Sequence, residues 1–303
     1  MTGIIFNPTA RGEKATRFRR HLGDLGDEVR IVPTRCAGDA REIAAELVTA
    51  GCDPVVAAGG DGTVNEVLNG ICDVPGGLER TRLGVIPLGT INVFAKETGI
   101  PGDFPGAWKV IQAGKELLMD LPCAEFSGPD GTRVRRHFIL MAGAGLDSSA
   151  IELVDWNLKK KVGPLAYVWA GIRAMQRPHP AIEVAVDGRR HTVELAEIGN
   201  GRFYGGRFPV FPDARLDDGE FDATLFPRVN WPCALRVFLR LLVNRLATSP
   251  DAILLRAREL HLSAPTPVPL QLDGDIVGTL PATITLRPRT LRVLRPAAIA
   301  NSQ

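Results

Sequence analysis

The chain has 303 residues, of which 45% are hydrophobic and 23% are charged, and its formal net charge is +2. These values are ordinary for a globular protein and argue against a dedicated nucleic-acid binder, which is usually clearly basic on one face. No run of 18 uninterrupted apolar residues occurs, so no transmembrane helix is expected. The length predicts two domains, each with its own core.

Cysteine usage and missing motifs narrow the class of protein further. The five cysteines are scattered and include no Cys-x-x-Cys pair, which predicts free thiols in a reducing cytoplasm. The first residues lack a basic start and a long apolar core, so no signal peptide is expected. A Gly-x-Ser-x-Gly elbow and a Walker-type phosphate loop are absent, which leaves hydrolase triads and Walker-type NTPases without local support.

Strands alternate with helices over about the first 118 residues. The predicted elements are strands 3–6, 28–33, 55–58 and 83–86 and helices 13–22, 39–50, 63–72, 92–98 and 104–114. This alternation is typical of a parallel α/β sheet, in which ligands bind beyond the carboxyl ends of the strands. We therefore expect the turns that follow three strands, at Asn7, Gly59–Thr63 and Gly89–Thr90, to converge on one crevice.

The run from Val55 to Glu66 is the most informative segment. Four apolar residues are followed by three glycines within four positions, which allow positive φ and the close approach of a ligand. Thr63 or Asp61 is expected to cap the helix that follows, and the free N–H groups at its start attract phosphate. Since a carboxylate does not bind phosphate directly, we expect Asp61 to meet a metal ion, a hydroxyl or a basic side chain.

The pattern changes after about residue 119. Short apolar runs separated by turns predict an antiparallel β domain, with runs at 121–126, 134–142, 181–187, 191–198, 221–226, 259–263, 268–272 and 282–286. Two helical insertions are expected, near 147–176 and 232–247.

Both insertions carry basic residues beside apolar ones. Arg236, Arg240 and Asn244 fall on one stripe of the second predicted helix, and Lys159–Lys161 lie close to Trp156 in the first. One interpretation is docking on an anionic bilayer. The other is a helix that packs on the β domain and exposes its arginines to solvent.

Six segments, taken together, resemble the diacylglycerol kinase catalytic family, which includes bacterial lipid kinases, sphingosine kinases and ceramide kinases. They follow the family's order and are Asn7–Gly12, Gly59–Thr63, Pro87–Ala95, Met141–Asp147, Asn200–Asp222 and Leu270–Asp275. Three positions depart from the family pattern. Arg11 precedes the first glycine, Val93 stands where many relatives have an acidic residue, and Asp275 replaces the usual glutamate.

The resemblance implies an α/β plus all-β protein. Residues 1–118 would form a Rossmann-like α/β nucleotide-binding domain of the NAD kinase and diacylglycerol kinase type, with the tail 288–303 as a candidate to return to it. Residues 119–287 would form a C-terminal antiparallel β-sandwich for the lipid substrate.

The implied reaction transfers the ATP γ-phosphate, with Mg²⁺, to a lipid hydroxyl of the diacylglycerol type. The nucleotide is expected in the cleft between the domains. The expected location is cytoplasmic or peripheral on the inner face of the membrane. A homodimer is a candidate assembly, and no nucleic-acid partner is expected.

The resemblance also implies three groups of site residues. Nucleotide contacts are expected from Asn7, Pro8, Thr9, Ala10, Arg11, Thr34, Gly60, Asp61, Gly62, Thr63, Val64, Asn65, Glu66, Thr90 and Asn92. The catalytic set comprises Asp273 as general base, Asp61 at the Mg²⁺ site, Asp147 near the acceptor, and Asp275. A structural Mg²⁺ would be held by the Asp218 carboxylate and the backbone carbonyls of Arg215 and Glu220, since a hard cation favours oxygen ligands.

Other functions stay open at this point. An NAD kinase with a soluble substrate shares the Gly-Gly-Asp-Gly-Thr turn, and a sphingoid or ceramide kinase fits the same motifs. A non-catalytic nucleotide- or lipid-binding protein is kept open by Val93 and Asp275. A dinucleotide fingerprint at Gly143-x-Gly145 is disfavoured, because Ser148 stands in place of the third glycine.

Overall fold

The computed structural model describes residues 1–8, 13–21, 23, 25, 26, 28–128, 130–152, 173–206 and 208–297. The chain forms two compact units. The first comprises Met1–Leu121 together with the chain from Pro288 onward, and the second comprises Pro122–Arg287. The five cysteines all lie in the described ranges, and they form no disulfide there, as expected.

The first unit is built around a parallel sheet. Its strands are β1 (Thr2–Phe6), β2 (Val29–Pro33), β3 (Val55–Gly59) and β4 (Leu83–Pro87). Its helices are α1 (Glu13–Arg20), α2 (Asp39–Thr49), α3 (Asp61–Asp73), α4 (Gly77–Arg80), α5 (Val93–Glu97) and α6 (Phe104–Ala113). The strand order is β4-β3-β1-β2, and every residue of β3 and β4 is buried. Continuous apolar runs are what strands covered on both faces require.

The second unit is rich in antiparallel strands. They are β5 (Glu116–Ser127), β6 (Arg133–His137), β7 (Met141–Gly145), β8 (Ile182–Val186), β9 (Arg189–Val193), β10 (Leu195–Gly199), β11 (Phe221–Phe226), β12 (Ile253–Ala257), β13 (Glu259–Ser263), β14 (Pro269–Leu272) and β15 (Asp275–Leu294). Its helices include α7 (Leu146–Glu152) and α8 (Trp231–Leu242). Strands β5 and β15 each supply residues to both units. In the first unit, Val293 of β15 pairs in parallel with Leu83 of β4.

Two runs of strands enclose the core of the second unit. One run has the order β12-β11-β10-β7-β14-β15. The other has the order β9-β8-β13 and joins the first because β13 pairs with β15. Their inward side chains form one buried apolar cluster, for example Ile198 and Leu225 from the first run and Ile182 and Leu262 from the second. Apolar faces that meet across two layers are the basis of a β-sandwich.

Most predicted elements are observed within a few residues of their expected bounds, but several differ. The predicted run 191–198 is two strands, β9 and β10. The predicted run 134–142 is two strands, β6 and β7, because the chain between them turns its amides toward another side chain, as described below. The predicted strand 282–286 is the middle of the longer β15, and β12 was not predicted. Much of the predicted helical insertion 147–176, including Trp156 and Lys159–Lys161, lies outside the described residues.

Candidate active site

The glycine turn lies between β3 and α3, where the sequence predicts it. Gly60 precedes the first helical residue and adopts an extended conformation, with φ −92° and ψ −175°. No side chain among the described residues caps this helix, and the expectation that Thr63 or Asp61 would cap it is wrong. Asp61 is instead the first residue inside the helix. The start of α3 therefore keeps backbone N–H groups that no side chain caps, and such groups suit phosphate.

A second turn packs directly against the glycine turn. The amides of Leu88 and Gly89 donate to the Gly59 carbonyl at 2.9 and 3.3 Å. A Cβ atom on Gly89 would lie 2.6 Å from the Gly60 Cα and 2.7 Å from Asn92 Oδ1, closer than real Cβ contacts come. Only glycine at position 89 allows this approach, so two of the predicted motifs meet in the first unit.

The Asp61 carboxylate ties the two turns together. Its Oδ2 accepts a hydrogen bond from the Val93 amide and its Oδ1 accepts one from the Phe94 amide, both at 3.0 Å. These amides begin α5, where a negative charge is favourable. We expected a metal ion, a hydroxyl or a basic side chain at Asp61, and these two amide partners were not predicted. The family's acidic side chain is missing at Val93, yet the backbone of the same residue binds Asp61.

Some of the other residues predicted to contact the nucleotide are exposed, and others are buried. Gly62 and Thr90 are exposed, whereas Val64 and Asn65 are buried in α3. Both Glu66 carboxylate oxygens accept amides at the start of α2, from Gly38 at 3.0 Å and Ala40 at 3.2 Å. Glu66 thus caps a neighbouring helix, and nucleotide contact by its side chain stays a prediction.

Of four further predicted residues, three follow strands and the fourth, Asn92, directly precedes α5. Asn7 Nδ2 donates to Thr63 Oγ1 at 3.3 Å, and Thr34 is buried and donates its amide to the Phe6 carbonyl. Asn92 has a left-handed conformation and donates to the Gly89 carbonyl at 2.7 Å. Within the described residues, its buried Oδ1 has no hydrogen-bond partner. The Pro8 carbonyl accepts from Arg19, whereas Thr9, Ala10 and Arg11 lie outside the described residues.

In the second unit, Asp273 organises the turn between β14 and β15. Its carboxylate accepts hydrogen bonds from three consecutive amides, those of Ile139 at 2.8 Å, Leu140 at 2.9 Å and Met141 at 3.0 Å. The turn places Asp273 at φ 49°, in the left-handed region. These contacts also explain the break between β6 and β7, since the amides there bind a carboxylate instead of a neighbouring strand. Asp275, two residues later, is exposed.

Asp147 belongs to a buried polar cluster that the sequence did not reveal. A Cβ on Gly143 would lie 2.7 Å from Glu197 Oε2, 2.8 Å from Gln271 Nε2 and 3.2 Å from Asp147 Oδ2. None of these three atoms has a partner with hydrogen-bond geometry in the described part of the chain. Tyr204 donates its hydroxyl to the other Asp147 oxygen. The glycine at 143 therefore leaves room for polar side chains from two strands, β10 and β14, from helix α7 and from Tyr204 to converge.

Burial sets the protonation of this cluster. It raises the pKa of Asp147 to about 6, while the hydrogen bond from Tyr204 and then the proximity of the Gln271 amide oppose the rise. Burial, and then the charge of Asp147, raise the pKa of Glu197 well above its usual range. The two carboxyl groups therefore favour shared or partial protonation near neutral pH. A lone glutamate in the apolar strand Leu195–Gly199 was the available signal for Glu197.

The predicted structural Mg²⁺ loop surrounds an arginine. Arg256 pairs with Asp218 and lies 3.4 Å from Glu220 Oε2 and 3.8 Å from Asp222 Oδ2. Burial raises the pKa of Asp222 to about 6. Within the described ranges, no group of three or more His, Cys, Asp or Glu side chains has an arrangement that could hold a metal ion. Since three carboxylates surround one guanidinium, the loop keeps a net negative charge that would attract a cation. The predicted ligands, one carboxylate and two backbone carbonyls, are the oxygen ligands that a hard cation prefers.

Comparison with known proteins decides the family. The diacylglycerol kinase catalytic domain matches residues 2–123, and the YegS C-terminal NAD kinase beta sandwich-like domain matches residues 141–295. A diacylglycerol kinase of Staphylococcus aureus strain MRSA252 is 32% identical over 99% of this chain and 94% of its own length. The chain belongs to the diacylglycerol kinase catalytic family. It is thus a member of a family of lipid kinases and a phosphotransferase.

Solved structures support the same fold. The crystal structure of a diacylglycerol kinase from Bacillus anthracis str. Sterne superposes with a TM-score of 0.72 at 22% identity, covering 99% of this chain and 98% of that one. Yeast NADH kinase in complex with NADH has a TM-score of 0.53 at 15% identity, covering 98% of this chain and 84% of that one. The predicted fold class, an NAD kinase-like α/β domain with a C-terminal β-sandwich, is confirmed.

Proposed function

We propose that this protein transfers the γ-phosphate of ATP to the hydroxyl group of a lipid, with diacylglycerol as the acceptor class. The family carries the kinase chemistry, and the relatives named diacylglycerol kinase span almost the whole chain. The observation that carries the nucleotide part is the meeting of the two glycine turns at the start of α3. An exposed helix start with close-packed glycines accommodates a polyphosphate, which larger side chains would exclude.

The first unit binds the nucleotide in this proposal. The N–H groups at the start of α3 face the phosphates, and the exposed Gly62 and Thr90 allow their approach. Asp61 keeps the two turns in register through the Val93 and Phe94 amides. Mg²⁺ would neutralise phosphate charge, as in other phosphoryl transfers. The chain's own contribution is chiefly positioning, which accounts for much of the rate gain in such reactions.

The second unit supplies the proton acceptor for the lipid hydroxyl. The family resemblance implies Asp273 in that role, but three amides already donate to its carboxylate. Such bonds stabilise the charged form and hold it in place, which suits a positioning residue. We therefore propose that Asp275, exposed at the start of β15, accepts the proton and that Asp273 holds the turn that presents it. The shorter side chain of Asp275 keeps the carboxylate that this step needs.

A structural cation is a further part of the proposal. Asp218 would bind it through its carboxylate, and Arg215 and Glu220 through their backbone carbonyls. Its role would be to offset the charge of the acidic loop beside Arg256.

The test is phosphate transfer from labelled ATP in the presence of Mg²⁺. Purified protein would be incubated with mixed micelles that contain diacylglycerol, sphingosine, ceramide or undecaprenol, and with soluble NAD in a parallel reaction. Label in diacylglycerol supports the proposal, and label in another lipid corrects the acceptor class. Label in NAD alone overturns the choice of a lipid acceptor, and no transfer to any acceptor counts against catalysis.

A further inference from the structure

Helix α8 turns its apolar side outward. Six of the nine exposed large hydrophobic side chains found among the described residues lie on this helix or directly after it, and each is at least 47% exposed. We call this surface the α8 apolar face; it comprises Trp231, Leu235, Phe238, Leu239, Leu242 and Val243. Spacings of three and four residues place these side chains on one stripe of the helix. A helix on the surface of a globular unit normally buries such a stripe.

The polar side of α8 is the side that contacts the rest of the unit. Arg236 Nε donates to Asp251 at 2.8 Å, and Arg240 Nη1 donates to the Thr248 carbonyl at 2.8 Å and to its hydroxyl at 2.7 Å. Cys233 is buried on this side. Arg236 and Arg240 therefore hold the helix against the unit, although half of the Arg236 side chain stays exposed. Docking of this helix on a bilayer stays a prediction.

The charge around this face indicates what covers it. Residues 227–250 contain four arginines and no aspartate or glutamate. Arg228 and Arg245 are exposed and flank the apolar face on either side along the chain. A second copy that met this face with its own would bring these like charges together, which disfavours a symmetric dimer. An anionic lipid surface instead accepts apolar side chains and attracts the arginines, each contributing to binding.

We propose that the α8 apolar face docks on the surface of an anionic bilayer. The choice of a lipid surface rests in part on the proposed lipid acceptor, because diacylglycerol resides in membranes. Docking is interfacial, since 12 helical residues span only about 18 Å. No helix in the described part of the chain is long and apolar enough to cross a membrane.

Vesicle binding tests this proposal without any catalytic step. Wild-type protein would be sedimented with vesicles of phosphatidylglycerol and phosphatidylcholine, and with vesicles of phosphatidylcholine alone, in the absence of diacylglycerol and ATP. We expect binding to the anionic vesicles that weakens in 0.5 M salt. The triple variant Leu235→Gln, Leu239→Gln and Leu242→Gln should lower the partition coefficient by about a hundredfold, at roughly fivefold for each leucine. The matched control is Leu118→Gln, which changes an apolar residue of the first unit that is 49% exposed and should bind like wild type.

Charge and assembly are tested with two further measurements. Arg228→Gln with Arg245→Gln should weaken binding to anionic vesicles only, because neither guanidinium is needed to hold the helix. Light scattering should show no change of mass between wild type and the triple variant. A wild-type dimer that becomes monomeric in the triple variant, with no vesicle binding by either, would assign the face to a second copy. Equal vesicle binding by wild type and triple variant would also overturn the proposal.

Failure of docking can be told apart from failure of the kinase proposal. A short-chain, water-soluble diacylglycerol reports phosphoryl transfer without a bilayer. The triple variant should phosphorylate it at the wild-type rate, since α8 contributes nothing to the proposed site, while losing activity on vesicles. Transfer to the soluble acceptor together with absent vesicle binding would reject docking and keep the kinase.

Discussion

Two carboxylates in the turn after β14, Asp273 and Asp275, are assigned different roles that mutation can distinguish. Asp273 accepts three amide hydrogen bonds, and Asp273→Asn would replace one of its oxygens with an NH₂ group that faces an amide N–H. A hydrogen bond to a charged group contributes about 1.5–3 kcal/mol, and Asp273 is only half-buried, so we take the lower part of that range. The expected loss in unfolding free energy is about 2 kcal/mol. Activity should fall as well, because the turn that presents Asp275 loosens.

Urea unfolding followed by circular dichroism measures this loss as a lower midpoint at constant slope. The matched variant is Asp275→Asn, which removes an exposed carboxylate of the same turn. It should unfold like wild type and bind nucleotide, yet lose phosphate transfer. The contrary outcome is an Asp273→Asn variant that is as stable as wild type and inactive, together with an Asp275→Asn variant that stays active. That result would return the role of proton acceptor to Asp273.

Three further predictions concern other parts of the molecule. Gly89→Ala should abolish nucleotide binding, measured by calorimetry, because its Cβ would lie 2.6 Å from the neighbouring turn. The control is Gly23→Ala, whose Cβ would meet nothing within 4 Å among the described residues and which lies outside the proposed site, so it should bind. Stability should fall as pH rises from about 4 through 6, since Asp147, with its pKa raised to about 6, and Glu197 hold protons that the unfolded chain has released. Asp147 alone accounts for a loss of up to about 3 kcal/mol in the free energy of unfolding. Glu197→Gln should flatten the profile of melting temperature against pH, and a profile as steep as that of wild type would contradict this. Mg²⁺ should raise the melting temperature of wild type but not that of Asp218→Asn. An equal rise in both proteins would contradict a cation site at Asp218.

The parts of the fold that could be predicted are those that depend on residues close together in the sequence. Strand β3 is an unbroken apolar run that ends in glycines, so its burial and the turn after it follow from local sequence. Alternating strands and helices gave the parallel sheet of the first unit for the same reason. The turns at Gly59–Thr63 and Gly89–Thr90 were expected to converge, and they lie in contact.

The parts that could not be predicted depend on residues far apart in the chain. Glu197 meets Asp147 only because β10 pairs with β7, and Asp273 meets Ile139 from 134 residues away. Asp61 likewise finds its partners at Val93 and at the residue after it. Nothing in a local pattern states which strands become neighbours.

Helix α8 shows the same limit in another form. Its composition predicts an amphipathic helix, but not which face is covered. Asp251 and Thr248, which lie beyond the helix, bind its arginines and so turn its leucines outward.

The most direct test of the central claim is the transfer of labelled phosphate from ATP to diacylglycerol in mixed micelles, with Asp275→Asn as the matched protein. We predict labelled phosphatidic acid with wild type and none above background with the variant. Label that appears only in NAD, or equal label from both proteins, would contradict the proposed lipid kinase or its proton acceptor respectively.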